Sequence, residues 1–225
     1  MAGTDLRTAR ELQRKRENRE TILQAARAVI RRKGFGSLSM DDVAAEAQFS
    51  KATVYRYFRS KSELAFEILI LFLDGLDARL RDIRSRPAGA GERMRDWVAC
   101  SLGFLAENEN LTRILLLDRS FLRLLQIFVG RRTAAGAETR FLREIMARRK
   151  AMLESSQAIL REGMASGEFR AMDLAAAVRF VEAVIEGYFV ETFWDEKKPD
   201  IERDASRIAE FLFRGIRGDR RAKGD

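Results

Sequence analysis

Two prolines, Pro87 and Pro199, are the only ones in 225 residues. That scarcity constrains the fold more than any other feature. Proline removes a backbone donor and breaks helices, so long spans without it, rich in Ala, Leu, Arg and Glu, favour helix. No run alternates apolar and polar residues over strand length, and no Asn-Gly or Asp-Gly pair between such runs signals a hairpin. The expected class is therefore all-α. The length admits one large domain, or a small domain followed by a larger one.

Helical periodicity divides the chain. Residues 1–16 carry Arg7, Arg10, Arg14, Lys15 and Arg16 without a sustained apolar stripe. They read as a mobile basic arm or a fraying helical extension. Glu17 to Lys33 is the first firm helix, with Ile22, Ala25, Ala26, Val29 and Ile30 at helical spacing. Gly34 offers a left-handed C-cap. Ser39 is a candidate N-cap for a short helix over Met40–Ala47, with Asp41 and Asp42 favourable in its first turn. Ser50 caps a third short helix, Lys51–Phe58, and Ser60 a fourth, Lys61 to about Arg84. The stretch Arg86–Gly91 breaks it.

Two or three helices are expected between Glu92 and Gly130. A break at Gly130–Gly136 leads into a long helix, Ala137–Ala165, ended by Gly167. Asp173 caps a helix to about Trp194. Asp195–Pro199 is a polar connector, and a last helix spans about Asp200–Arg217. The expected boundaries are a basic arm over 1–16, a small helical domain over 17–65 and a larger helical domain over 66–225.

The stretch FSKATVYRYF, Phe49–Phe58, crowds two tyrosines, a lysine and an arginine onto one short helix. Two short helices joined by a tight turn, the second basic and aromatic, is the layout of a helix-turn-helix. Val54 and Phe58 are four apart and share a face, which suits the core. Lys51 and Arg56 suit phosphate or guanine. Thr53, Tyr55 and Tyr57 suit thymine methyls or phosphate oxygens. Ser50 caps a helix start whose amides suit an anion, and Lys61 opens the next helix. The alternative reading is a surface helix whose tyrosines merely pack.

The segment Ile22–Leu69 resembles the DNA-binding domain of the TetR family of bacterial transcriptional regulators. The shared positions are Ala25-Ala26, Gly34-Phe35, Ser39, Val43-Ala44, Ser50, Thr53, Tyr55, Phe58, Lys61 and Leu64, in register and without a gap. The resemblance implies a three-helix helix-turn-helix domain at the N-terminus and a helical ligand-binding and dimerisation domain behind it. It implies a homodimer whose third helices read the half-sites of a pseudo-palindromic double-stranded operator, released by a small-molecule effector. Carried over, Ser39, Ser50, Lys51, Thr53, Tyr55, Arg56, Tyr57 and Lys61 become the DNA-contact candidates. One position departs. The family usually has glycine in the turn, and this chain has Gln48. If that position needs positive φ, Gln48 costs about 1 kcal/mol.

Beyond residue 66 the resemblance is mainly architectural, through Ser166–Phe189. In this family the last two helices commonly build the dimer interface. Here they carry Ala176, Phe180, Ala183, Val184, Gly187 and Tyr188, then Ile208, Phe211, Leu212 and Ile216; intramolecular core is the competing use. Trp97, Phe104, Phe121, Phe128 and Met146 are candidate walls of an effector pocket, though residues of this kind are more often plain core than ligand contacts. Arg113, Arg119 and Arg123 suit an acidic ligand group or the surface. The abundance of Leu and Phe suggests an apolar or amphipathic effector.

Charge placement supports an anionic partner at the N-terminal end. The chain's formal charge is +8. Residues 1–65 hold 14 Lys/Arg against 8 Asp/Glu, a net of +6 that leaves +2 for the remainder. Nucleic acid, an anionic membrane surface and a solvated basic face all fit that excess. For residues 1–16, phosphate or minor-groove contact and a solvated tail both stay open.

The chain has no histidine and one cysteine, Cys100. That composition removes the usual general base, the Ser-His and Cys-His pairs, most zinc sites and any internal disulfide. Cys100 is expected as a small buried hydrophobe. Glu182 and Glu186 stand four apart, a spacing usual for a solvated face. The expectation is a non-enzyme with no metal and no cofactor. A helical interaction scaffold with only nonspecific DNA affinity is the alternative, and Gln48 is its support. The polar N-terminus shows no targeting segment, and no apolar run is long enough to span a bilayer. A cytoplasmic protein with no membrane partner is expected.

Overall fold

The structure, a computed structural model, describes residues 2–117, 137–192 and 200–216. Its regular elements, among the described residues, are α-helices: α1 Ala2–Lys33, α2 Met40–Glu46, α3 Lys51–Tyr57, α4 Lys61–Ser85, α5 Ala90–Glu107, α6 Glu109–Leu117, α7 Ala137–Ala165, α8 Leu174–Thr192 and α9 Ile201–Ile216. The chain divides into two compact units, Met1–Leu71 with Asp118–Arg143, and Phe72–Leu117 with Glu144–Asp225. The division falls inside α4.

The first unit begins earlier as helix than its apolar stripe predicts. Helix α1 starts at Ala2 rather than Glu17. Residues 7–16 are exposed and bury nothing to explain this, so the cause is local: Arg, Leu, Gln, Glu and Lys are good helix formers and no proline interrupts them. Gln13 Nε2 donates to Glu17 Oε1 at 2.8 Å, one turn on. Helix α1 then buries Ile22, Ala26 and Val29 completely and packs on α2, which packs on α3. It ends at Gly34, whose φ of +76° is the left-handed conformation that glycine adopts without a Cβ clash.

Ser39, Ser50 and Ser60 close the starts of α2, α3 and α4. Their hydroxyls accept from the backbone amides of Asp42, Thr53 and Glu63, each at 3.1 Å. Each cap satisfies a donor that the helix leaves orphaned.

The second unit packs around Trp97, Met94 and Leu102 of α5, Leu80 of α4, Ile159 and Leu160 of α7, and Val181 of α8. Phe72 and Phe104 meet edge to face with centroids 5.1 Å apart. Helix α7 ends where Phe169 folds back over Gly163: a Cβ at Gly163 would lie 2.1 Å from the Phe169 ring. Asp173 caps α8 by accepting from the Ala176 amide at 3.0 Å. Asp200 caps α9 through the Arg203 amide at 3.1 Å. Tyr188 Oη donates to Asp204 at 2.9 Å and ties the two helices together.

Candidate nucleic-acid interface

Helix α3 is seven residues long and owes its orientation to two side chains. Val54 and the capping Phe58 are both fully buried. Around a helix these sit together, so residues on the opposite side must face water. Lys51, Ala52, Tyr55 and Arg56 are the exposed side chains of the helix, and Tyr55 keeps 43% of its surface accessible. Ala52 was missed by reasoning from charge and hydrogen-bonding capacity. The helical wheel places it in the centre of the outward face, where its methyl suits a thymine methyl.

The polar members of this face are positioned before any ligand arrives. The Lys51 ammonium lies 2.7 Å from Asp41 on α2. That hydrogen bond, with the charge of the same carboxylate, raises the Lys51 pKa, so this lysine is a cation throughout the neutral range. Thr53 Oγ1 is 2.8 Å from Ser50 Oγ. The Arg56 guanidinium stands 5.4 Å from the Tyr57 ring centroid. Asp42 accepts from Lys33 at 2.6 Å and from the Ser39 hydroxyl at 2.8 Å, and these bonds depress its carboxyl pKa.

Two candidates also make contacts within the domain. Tyr57 is half-buried and faces α1, where its hydroxyl accepts from Asn18 Nδ2 at 3.1 Å and its carbonyl from Arg19 at 3.4 Å. Arg19 also lies 4.4 Å from the Phe58 ring centroid and 3.0 Å from Glu67. Tyr57 is thus a latch between α1 and α3. Lys61 donates to the Gly36 carbonyl at 2.8 Å with its ammonium 4.5 Å over the Phe35 ring. It closes the loop between α1 and α2 onto the start of α4.

The turn between α2 and α3 holds the one positive-φ residue other than glycine among the described residues, Gln48 at +56°. The Gln48 amide donates to Ala45 O at 3.2 Å and the Phe49 amide to Ala44 O at 3.0 Å. This is the Schellman hydrogen-bond pattern, with Gln48 at the position that glycine usually fills. The turn is therefore formed, at the conformational cost expected of a side chain there.

The effector candidates separate. Trp97 and Phe104 are buried in the second unit at 2% and 6% exposure. Met146 is 57% exposed, because it follows the inward Ile145 by only one residue and so points to another side of α7. Phe121, Phe128, Arg119 and Arg123 lie outside the described residues, and Arg113 is exposed. Cys100 is half-buried, and burial raises its thiol pKa. Among the described residues no three His, Cys, Asp or Glu side chains converge as a metal site, and no helix is long and apolar enough to cross a membrane.

Comparison with known proteins gives this geometry a context. Residues 22–68 match the sequence model of the bacterial regulatory proteins of the tetR family. The transcriptional regulator PfmR from Thermus thermophilus is 25% identical, with a TM-score of 0.69 over 86% of this chain and 97% of its own. FadR from Bacillus subtilis, solved in complex with stearoyl-CoA, is 23% identical, with a TM-score of 0.69 over 88% and 98%. AibR, solved with isovaleryl coenzyme A and operator DNA, is 19% identical, with a TM-score of 0.63 over 87% and 98%.

Proposed function

The chain belongs to the TetR family of bacterial regulatory proteins, and from that premise we propose that it is a ligand-released repressor that binds a pseudo-palindromic operator as a homodimer. The observation that carries the reading is the outward face of α3. Lys51, Ala52, Tyr55 and Arg56 are exposed on a helix whose other side is pinned by Val54 and Phe58. Arg56 suits guanine or phosphate, Ala52 and Tyr55 suit thymine methyls, and the capped start of α3 sits beside Lys51. Ser39, Ser50 and Thr53 hold that face in shape, and Tyr57 and Lys61 anchor it to its neighbours.

A dimer follows from a different surface. Phe180 on α8 and Phe211 on α9 are 68% and 74% exposed. Ala183 and Gly187 share the exposed side of α8 with Phe180. Large apolar side chains left in water mark surfaces that a partner covers, and small residues on the same side of a helix let a second helix approach closely. A second copy of this chain is the partner proposed. The effector is an apolar or amphipathic molecule held by the larger domain, residues 66–225, with Trp97 and Phe104 among its candidate walls. Acyl thioesters of coenzyme A, the class bound by FadR and AibR, are the first ligands to screen.

The test is a fluorescence-anisotropy titration with the DNA upstream of the protein's own gene and a scrambled duplex of equal length. The expected result is tight binding to the first only, weakened roughly 5- to 150-fold by Arg56→Ala and by Tyr55→Ala without loss of thermal stability. Equal binding to both duplexes, lost on adding moderate salt, overturns the reading in favour of nonspecific basic affinity.

A further inference from the structure

The helix that precedes the reading head extends well beyond the domain it belongs to. Only from Ile22 onward does α1 bury side chains in the core; Arg7 to Glu17 are exposed throughout. The helix nevertheless continues without a break to Ala2. At 1.5 Å per residue, the stretch from Asn18 back to Arg7 spans roughly 16 Å.

The direction of that extension is set by the latch to α3. Asn18 meets the Tyr57 hydroxyl at the end of α3. Successive residues turn by about 100° around a helix of 3.6 residues per turn. Arg14 and Arg7, four and eleven residues before Asn18, therefore fall within about 40° of it, and Arg10 within about 80°. So the side of α1 that touches the reading helix is the side on which these arginines project. Arg19, one residue on, holds the Tyr57 carbonyl, the Phe58 ring and Glu67 together, and thus fixes the rotation of α1 against α3 and α4.

We propose that Arg7, Arg10 and Arg14 form a rigid helical rail that contacts the DNA phosphates flanking the half-site read by α3. The inference rests on the regulator reading above. Its occupant is duplex DNA because the three arginines and Lys15, set against the one carboxylate of Glu11 on the same side, leave this exposed surface basic, and it lies on the helix that meets the end of α3. Its contribution is independent of sequence, since guanidinium contacts to phosphate set register and affinity but read no base. Rigidity matters because a helix delivers its charges already positioned, whereas a flexible tail must be ordered on binding.

The test begins with a duplex enriched from a random library by the full-length wild-type protein. Affinity is then measured from low to moderate salt for wild type, for Arg7→Ala/Arg10→Ala/Arg14→Ala, and for Gln13→Pro, which keeps every arginine but breaks the helix outside the core. For the triple variant the slope of log K against log salt falls by about 2 to 3, close to 0.9 per lost phosphate contact. Base substitutions in the enriched site keep their relative effects in that variant. Gln13→Pro frees Arg7 and Arg10 but leaves Arg14 on the helix, so its slope falls by about 2, and trimming the flanks of the duplex lowers the wild-type slope likewise.

An unchanged slope in the triple variant, with specific wild-type binding intact, overturns the rail and leaves the regulator reading standing. A slope lost in the triple variant but kept in Gln13→Pro replaces the rail with a flexible tail. If the triple variant instead loses binding only to phosphatidylserine vesicles, the rail is a membrane contact and the proposal fails. Enrichment of no sequence at all sinks the regulator reading and the rail with it.

Discussion

The exposed face of α3 and the exposed faces of α8 and α9 are opposite solutions to lying in water. On α3 the polar groups already have neighbours: Lys51 has Asp41, Thr53 has Ser50, and Arg56 has the Tyr57 ring. Such a surface is at ease in solvent and gains only when a polyanion replaces the water. On α8 and α9, Phe180 and Phe211 are two-thirds or more exposed, and apolar surface gains by leaving water. The contrast teaches that the first surface suits a partner that comes and goes, and the second a partner that stays. Charged contacts are tuned by salt and exchange readily, whereas a covered apolar face persists.

The largest effect that breaks this comparison is on assembly. Phe180→Asp with Phe211→Asp places two charges in the proposed interface, at a cost on the order of 3–5 kcal/mol for charges left unpaired there. Sedimentation is expected to give the 25.7 kDa monomer for the variant and about twice that mass for wild type. A variant that stays dimeric removes α8 and α9 from the interface. An effect of similar size separates buried from exposed phenylalanine. Phe58→Ala is expected to lose about 3–5 kcal/mol in urea unfolding, while Phe180→Ala, compared with wild type at concentrations low enough for the monomer, changes stability by less than about 0.5 kcal/mol.

A smaller effect probes the inner side of α8. Burial and the Glu186 carboxylate push the Glu182 carboxyl up to about 7, against the opposing charge of Arg149. Arg149 itself lies 3.6 Å from Glu186. Because the folded state holds this proton more tightly, the stability it contributes is full below about pH 4.5, the ordinary range for glutamate, and is lost as pH rises to about 7. Allowing for partial exposure, the loss is about 2 kcal/mol. Thermal unfolding of Glu182→Gln is expected to be flatter than wild type across that window and more stable at pH 8. Parallel wild-type and variant curves refute the assignment.

The smallest effect sharpens the reading head. Gln48→Gly is expected to raise stability by about 1 kcal/mol, by removing the penalty of a left-handed side chain. No gain in urea unfolding shows that the Gln48 side chain offsets its own strain.

The caps of α2, α3, α4 and α8 were legible because each is a bond between residues three apart, and local chemistry needs no tertiary context. The same holds for the inward turn of Val54 and Phe58. The left-handed turn at Gln48 was legible only as a conditional, because a glutamine does not announce positive φ. The role of Tyr57 was not legible. On spacing alone it resembles Tyr55, and only a bond to Asn18, 39 residues away, shows that it also meets α1. Met146 misled for a related reason. An apolar residue beside an inward Ile145 looks like core until the rotation of the helix is known.

By itself, then, the sequence determined an all-helical chain, the positions of its caps, and a helix-turn-helix whose basic, aromatic second helix faces outward. These depend on backbone chemistry and on periods of three to four residues. Tertiary structure decided that Tyr57 meets α1 while Tyr55 stays exposed, on which side of α1 its contacts with α3 fall, and that phenylalanines on α8 and α9 remain uncovered. Each of those outcomes depends on packing between residues far apart in the chain, which local preference does not encode.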